Sequence, residues 1–154
     1  MVFSVSLVTK TAIMVVLFIG VYLTINQGAE LTENTRYYSY LREIAEYVEG
    51  MFLDGMNSVS IYRSDSEQVL SLPSIGLEYY VEIYCVNHTD HSEDYVAINV
   101  NAPGIKRNYL LQEYMDCSKV AASGRVYEGE RCLSIVKTNS TNVINVTLVS
   151  NCAA

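Results

Sequence analysis

MVFSVSLVTKTAIMVVLFIGVYLTI, residues 1–25, is an almost uncharged apolar run at the start of the sequence. The stretch holds one charged side chain, Lys10, and the first carboxylate of the sequence is Glu30. As an α-helix it would be about 38 Å long at 1.5 Å per residue, enough to cross a hydrocarbon core of about 30 Å. Its apolar side chains beyond residue 10 would favour membrane insertion by about 3 to 5 kcal/mol. The sequence therefore predicts an apolar helix that is buried in lipid or in other protein.

Three interpretations compete for this segment: a cleaved secretory signal, a permanent membrane anchor and the assembly helix of a filament. A cleaved signal needs a basic region before the apolar run and a small-residue cleavage site after it, and NQGAE after Ile25 is a poor site. We therefore expect a retained helix. The choice between anchor and filament helix stays open at this point.

The pattern changes after Asn26-Gln27-Gly28, which we interpret as a hinge or a locally melted turn. Apolar residues then recur at alternating spacings of four and three, which is typical of an amphipathic helix: Tyr37, Leu41, Ile44, Val48, Met51 and Gly55. Helical residues 31–56 would thus continue the apolar residues 1–25. This gives an N-terminal helical region over 1–56, whose amphipathic face packs on a sheet.

Residues 57–154 carry strand signals, rich in β-branched side chains and tyrosine and separated by turn residues. The predicted class is α+β: a long N-terminal helix followed by a mainly antiparallel sheet, or a small sandwich, of six or seven strands. The predicted strands cover 58–64, 68–73, 77–86, 94–101, 106–115, 124–137 (two strands around Glu128 to Glu130) and 142–150.

Four cysteines fall in the C-terminal half: Cys85, Cys117, Cys132 and Cys152. Their spacings do not supply the short paired ligands of a zinc site, so two disulfides are expected, with free buried thiols as the alternative. Our preferred pairing is Cys117 with Cys132 and Cys85 with Cys152. Disulfides of this kind indicate an extracytoplasmic compartment.

Three N-x-S/T sequons lie in the same half, at Asn87, Asn139 and Asn145. We predict N-glycans on them, above all at Asn87 and Asn139, which lie in predicted turns, whereas Asn145 alternates within a predicted strand. The sequons and the cysteines indicate the same location, outside the cytoplasm.

The net charge is −7, from seventeen acidic and ten basic residues, and no basic run is present. A phosphate backbone would be repelled, so nucleic acid is disfavoured as a partner. Phosphate loops, dinucleotide fingerprints and the common hydrolase motifs are missing from the sequence, so we expect neither an enzyme nor a cofactor. Two clusters have alternatives: residues 88–94 as a solvated loop or a cation site using Asp90, Asp94 and a histidine, and Glu128 with Glu130 as a hairpin tip or, remotely, a catalytic pair.

The whole architecture resembles an archaeal type IV pilin or pilin-like protein. Three parts carry the resemblance: the apolar residues 1–25, their amphipathic continuation over 31–56, and the VLSLPSIGLEYYVEIY passage from Val69 to Tyr84. The resemblance implies that apolar helices bundle into a filament core while β-domains tile its outside. Two features depart from it: Val5 stands where bacterial relatives keep a glutamate, and Lys10 is unusual.

The expected function is thus a structural subunit of an extracellular filament, inserted in the membrane before assembly and serving adhesion to surface glycans or other cells. Its partners would be copies of itself. The alternatives are a single-pass surface protein with a β-rich ectodomain, acting as adhesin, receptor or accessory factor, and a small secreted enzyme that uses residues 88–94.

Assembly is expected to depend on Lys10 and on the apolar residues Phe3, Leu7, Leu17, Phe18 and Val21. In a filament core Lys10 has no carboxylate partner among residues 1–29, so it would need backbone carbonyls or hydroxyls, whereas in an anchor it would lie at the membrane interface. We expect Lys10→Met to leave insertion intact and to alter filament yield or symmetry.

Overall fold

A computed structural model describes residues 2–62, 65–88, 93–105, 108–138 and 142–151, except for the side chains of 2–12 and of Tyr62. Helix α1 covers Val2–Tyr62. The seven strands that follow are β1 (Ser66–Leu72), β2 (Tyr80–Val86), β3 (Tyr95–Asn101), β4 (Tyr109–Tyr114), β5 (Val120–Tyr127), β6 (Gly129–Thr138) and β7 (Val143–Val149). The chain divides into two compact units, Met1–Tyr37 and Tyr38–Ala154, called unit 1 and unit 2 below.

The strands form one sheet in the order β1-β6-β7-β5-β2-β3-β4. All neighbours are antiparallel except β5 and β7, which run parallel with Gly124 opposite Leu148. The predicted α+β class, a long N-terminal helix followed by a mainly antiparallel sheet, is confirmed.

The core of unit 2 lies between one face of the sheet and the amphipathic part of α1. Alternate residues of each strand point to this face, which is the pattern that one buried side of a sheet requires. On the helix the fully buried positions follow a helical spacing, and they include Leu41, Ala45, Val48, Phe52 and Val59. Gly55 lies on the same stripe, where a Cβ would collide with the side chain of Ile135.

The helix is longer than the predicted one. Asn26, Gln27 and Gly28 are helical, so the locally melted turn that we considered there is wrong. The predicted strand over 58–64 is wrong for its first five residues, because α1 continues to Tyr62 and Val59 is fully buried on its inner face. Residues 63 and 64 lie outside the described part of the chain.

The preferred disulfide pairing is also wrong. Cys85 in β2 is bonded to Cys117 in the turn before β5, with a Cα–Cα distance of 6.1 Å. The physical reason is the sheet order, since β2 pairs with β5 and brings the start of β5 beside the end of β2. Cys132 in β6 is disulfide-bonded as well. Cys152 lies outside the described residues.

The expected hairpin tip at Glu128 and Glu130 is likewise wrong. Strands β5 and β6 are not neighbours, because β7 inserts between them and pairs with both. The chain passes from one to the other through Glu128 and Gly129, and Gly129 takes a positive φ of 108° in this bend.

Candidate functional site

The apolar segment of α1 is exposed on every side in this single chain. All described side chains from Ile13 to Glu33 are exposed, among them Leu17 at 61%, Phe18 at 77% and Val21 at 58%. Because successive helical residues turn by about 100°, a run of this length covers the whole circumference. An apolar surface of this size marks a site that contacts lipid or other protein.

Two threonine hydroxyls of the segment are satisfied inside the helix. The hydroxyl of Thr24 donates to the carbonyl of Gly20 at 2.8 Å, and Thr32 donates in the same way to Gly28. The backbone amides from residue 6 onward are satisfied by the helical pattern itself. The segment can therefore enter an apolar environment without leaving these groups unpaired.

A shallow notch of about 350 Å³ marks one side of the segment. Gly20 is one of its lining residues, and it has no side chain to fill the space beside it. Small residues at such points let the backbones of two helices approach closely. The notch is lined by Val16, Leu17, Gly20, Val21, Thr24 and Ile25.

Three of the six predicted assembly residues, Leu17, Phe18 and Val21, thus belong to the exposed apolar surface. The side chains of Phe3, Leu7 and Lys10 lie outside the described residues, although their backbone is helical. Among the described residues one helix, within Ile13–Ile61, is long and apolar enough to cross a membrane.

Residues 88–94 after β2, which we considered as a cation site, are described only at their two ends, where Asp94 binds backbone amides. Asp94 is 3% exposed, and its carboxylate accepts the backbone amides of His88 at 2.6 Å and of Cys117 at 3.2 Å. These bonds and the adjacent disulfide join His88 and Asp94 to the turn before β5. Asp90 and His91 lie outside the described residues, and the described ones contain no group of three metal-binding side chains.

The sequons differ in their surroundings. Asn87 is exposed directly after β2, where a glycan has room. Asn145 lies in β7 and donates through Nδ2 to the hydroxyl of Thr138 at 2.7 Å, so its amide is already engaged. Asn139 lies outside the described residues. Glycosylation stays a prediction at all three.

A tyrosine-rich surface covers the outer side of β5, β2, β3 and β4, and we call it the tyrosine face. Register places Tyr127 opposite Tyr80, and Tyr114 opposite Tyr95. Between the pairs Arg125 binds Glu82 at 2.8 Å and stacks 4.4 Å from the ring centre of Tyr80. Tyrosine suits half-wet sheet faces, but the sequence alone could not reveal this surface, because the strand order brings its members together.

Comparison with models of protein families, with curated proteins and with solved structures finds no match for this chain.

Proposed function

We propose that this protein is the structural subunit of an extracellular type IV pilus-like filament and polymerises through the apolar N-terminal part of α1. The observation that carries the proposal is the exposed apolar surface around Leu17, Phe18 and Val21. Such a surface is unfavourable in water. Removing it from water contributes about 25 cal/mol for each Å² of apolar area. Lipid covers it before assembly, and copies of the same helix cover it afterwards.

Self-association fits this surface better than a specific foreign partner does. The segment has no polar or charged pattern that would select one face, and Thr24 needs no external hydrogen-bond partner. A helix that is apolar all round can be surrounded by several neighbours, as in a helical array. The notch at Gly20 supports close contacts with one of them.

The test is microscopy of the protein with and without lipid. The full chain is purified in detergent, the detergent is removed in the absence of lipid, and the sample is examined by negative stain. We expect helical filaments for the wild-type chain and none for Phe18→Asp, since a carboxylate at this position adds about 3 kcal/mol to burial in an apolar medium.

Glu33→Asp serves as the control, because it changes an exposed acidic residue of the same helix and keeps its charge. Filaments from Phe18→Asp at the wild-type yield would contradict the proposal. Monomers that insert in vesicles, with no filaments in either sample or on sheared cell surfaces, would favour the single-pass surface protein instead.

Attachment to surface glycans or to other cells is the second part of the proposal, and the tyrosine face supports it. Tyr114 and Tyr127 are 73% and 57% exposed, so Tyr114→Ser with Tyr127→Ser should keep the fold while lowering attachment in a binding assay. Val69→Ser, at an exposed position of the distant strand β1, is the matched control. Equal attachment of all three chains would exclude this face.

A further inference from the structure

A cleft in unit 2 lies between α1 and the chain that leaves β1, and we call it the helix cleft. Its volume is about 270 Å³. One wall is a stripe of α1 in which residues follow each other at helical spacings of three, one and three: Tyr40, Glu43, Ile44 and Tyr47. The other wall consists of Ser71, Pro73 and Ile75.

The walls of the helix cleft are held in place by hydrogen bonds. The backbone amide of Ser71 donates to the hydroxyl of Tyr47 at 3.4 Å, which links the two walls. Behind the second wall Tyr79 is 1% exposed and donates its hydroxyl to the carbonyl of Pro73 at 2.7 Å. The cleft is therefore largely preformed, as small binding sites usually are.

The side chains of the cleft combine an anion, two aromatic rings and an apolar floor. Glu43 is exposed, and within the described part of the chain its carboxylate has neither an ion pair nor a hydrogen bond. Tyr40 and Tyr47 lie one turn away on either side of it. The negative ring faces of tyrosine attract cations, as the carboxylate does. Ile44 is buried below them, and Pro73 with Ile75 extends the apolar surface.

We propose that the helix cleft binds the side chain of a lysine presented by a partner polypeptide. The alkyl stem would lie on Ile44 and Ile75 while the ammonium group reaches Glu43, which matches the way lysine buries its stem and keeps its charge at a polar rim. The net charge of −7 adds a long-range attraction for a basic partner. This site goes beyond the proposed filament function and does not depend on it.

The test uses the full ¹⁵N-labelled chain in detergent micelles and two small probes. One probe is N-acetyl-lysine methylamide, and the other is N-acetyl-norleucine methylamide, which keeps the stem and lacks the ammonium. We expect saturable shifts of the amide signals of residues that line the cleft, with the norleucine probe roughly tenfold weaker, as loss of one ion pair and its cation–π contacts implies.

Two variants make the test specific. Glu43→Gln should weaken the lysine probe about fivefold and leave the norleucine probe unchanged, because only the charge is removed. Glu33→Gln, exposed on the same helix and outside the cleft, should change neither. Equal affinity for both probes, full lysine affinity in Glu43→Gln, or no saturable shifts in the cleft would each overturn the proposal. The probes are read at the cleft of unit 2 while detergent covers the apolar segment, so these outcomes are independent of whether filaments form.

Discussion

The carboxyl groups of Glu49 and Glu113 meet where α1 packs on the outermost strand, β4. Their hydrogen bond, followed by partial burial and by repulsion from Glu113 and Glu46, raises the pKa of Glu49 to about 7. On the same helix Arg42 is already paired with Glu46 at 2.7 Å, so it does not neutralise the pair. The rings of Tyr38 and Tyr109 pack 5.6 Å apart in the same contact between helix and strand.

The raised pKa of Glu49 predicts that the free energy of unfolding falls as pH rises. The pKa of Glu49 is higher in the folded chain, about 7, than its ordinary value of 4.5. The folded state therefore binds the proton more tightly, and the stabilisation is complete below about pH 4.5 and lost as pH rises through about 7. Because solvent screens the pair, we expect the free energy of unfolding to fall by only about 1 kcal/mol over this range.

Glu49→Gln tests the expectation through urea denaturation at several pH values. The variant should lose most of the decline between pH 4.5 and 7, since it removes the Glu49 carboxyl group, whose pKa is raised in the folded chain. Glu130→Gln, at an exposed position of β6, should keep the wild-type profile. A Glu49→Gln chain with the unchanged pH dependence would show that the pair does not control it.

Gly124 in β5 lies where a side chain would collide with the backbone of the neighbouring strand. Its φ is +124°, and an added Cβ would collide with the backbone carbonyl of Leu148 in β7. Backbone atoms of a paired strand cannot rotate away, so Gly124→Ala should destabilise the protein by about 3 kcal/mol. Gly50→Ala is the control, because it lies on an exposed side of α1 with open space and should stabilise by about 0.5 to 1 kcal/mol. Thermal denaturation distinguishes the two, and equal midpoints would contradict the collision.

Among the strands, the disulfide joins the end of β2 to the turn before β5. It closes a sequence separation of 32 residues that contains β3 and β4. In the chain-entropy model a loop of this length contributes about 3 to 4 kcal/mol. Cys85→Ser with Cys117→Ser should lower the free energy of unfolding by that amount in urea titrations. A loss below about 1 kcal/mol would mean that the strand pairing alone restricts the loop.

Mapping of disulfide-linked peptides without reduction checks the pairing itself. It should recover Cys85 joined to Cys117, and the fourth cysteine, Cys152, is the remaining partner in the chain for Cys132. A peptide that joins Cys117 to Cys132 would contradict the arrangement of the strands.

The elements themselves could largely be predicted from local patterns. The apolar run, the amphipathic stripe and most strands follow from periodicities of 3.6 and 2 that the sequence displays directly. The end of α1 was missed because Ser58 to Tyr62 has strand-forming side chains, and packing overrides such a preference. The stripe spacing does continue, from Val48 through Phe52 and Gly55 to Val59, and would have given the later end.

Pairing between distant strands could not be predicted in the same way. The insertion of β7 between β5 and β6 depends on which buried faces fit together, and no local signal encodes it. The disulfide pairing and the tyrosine face both follow from that strand order, so neither could be predicted from the sequence. The helix cleft could not be predicted either, since its two walls come together only in the folded chain.

For the molecule as a whole, the chain separates an apolar surface from a folded core. The side chains of residues 13–33 are all exposed, whereas the amphipathic part of α1 packs on the sheet from Leu41 onward. The sheet and its disulfide can therefore fold without the apolar segment being covered by protein. Under the proposed function, a subunit can therefore be inserted in the membrane with its sheet already folded before it joins a filament.

The same separation predicts how filaments would respond to solvent. Residues 11–29 carry no charged side chain, so contacts among these segments would gain nothing from ion pairs. About 1 M sodium chloride, where charges are screened beyond about 3 Å, should leave filaments intact, because salt does not weaken the burial of apolar surface. Detergent should dissolve them, since micelles offer the apolar helices an equivalent environment. Sedimentation of the wild-type chain measures both: subunits should stay in the pellet with salt and move to the supernatant with detergent.

The opposite result, solubility in salt and resistance to detergent, would place the main contacts between polar surfaces of unit 2, because only charged contacts are weakened by screening. The apolar helix would then serve the membrane stage alone.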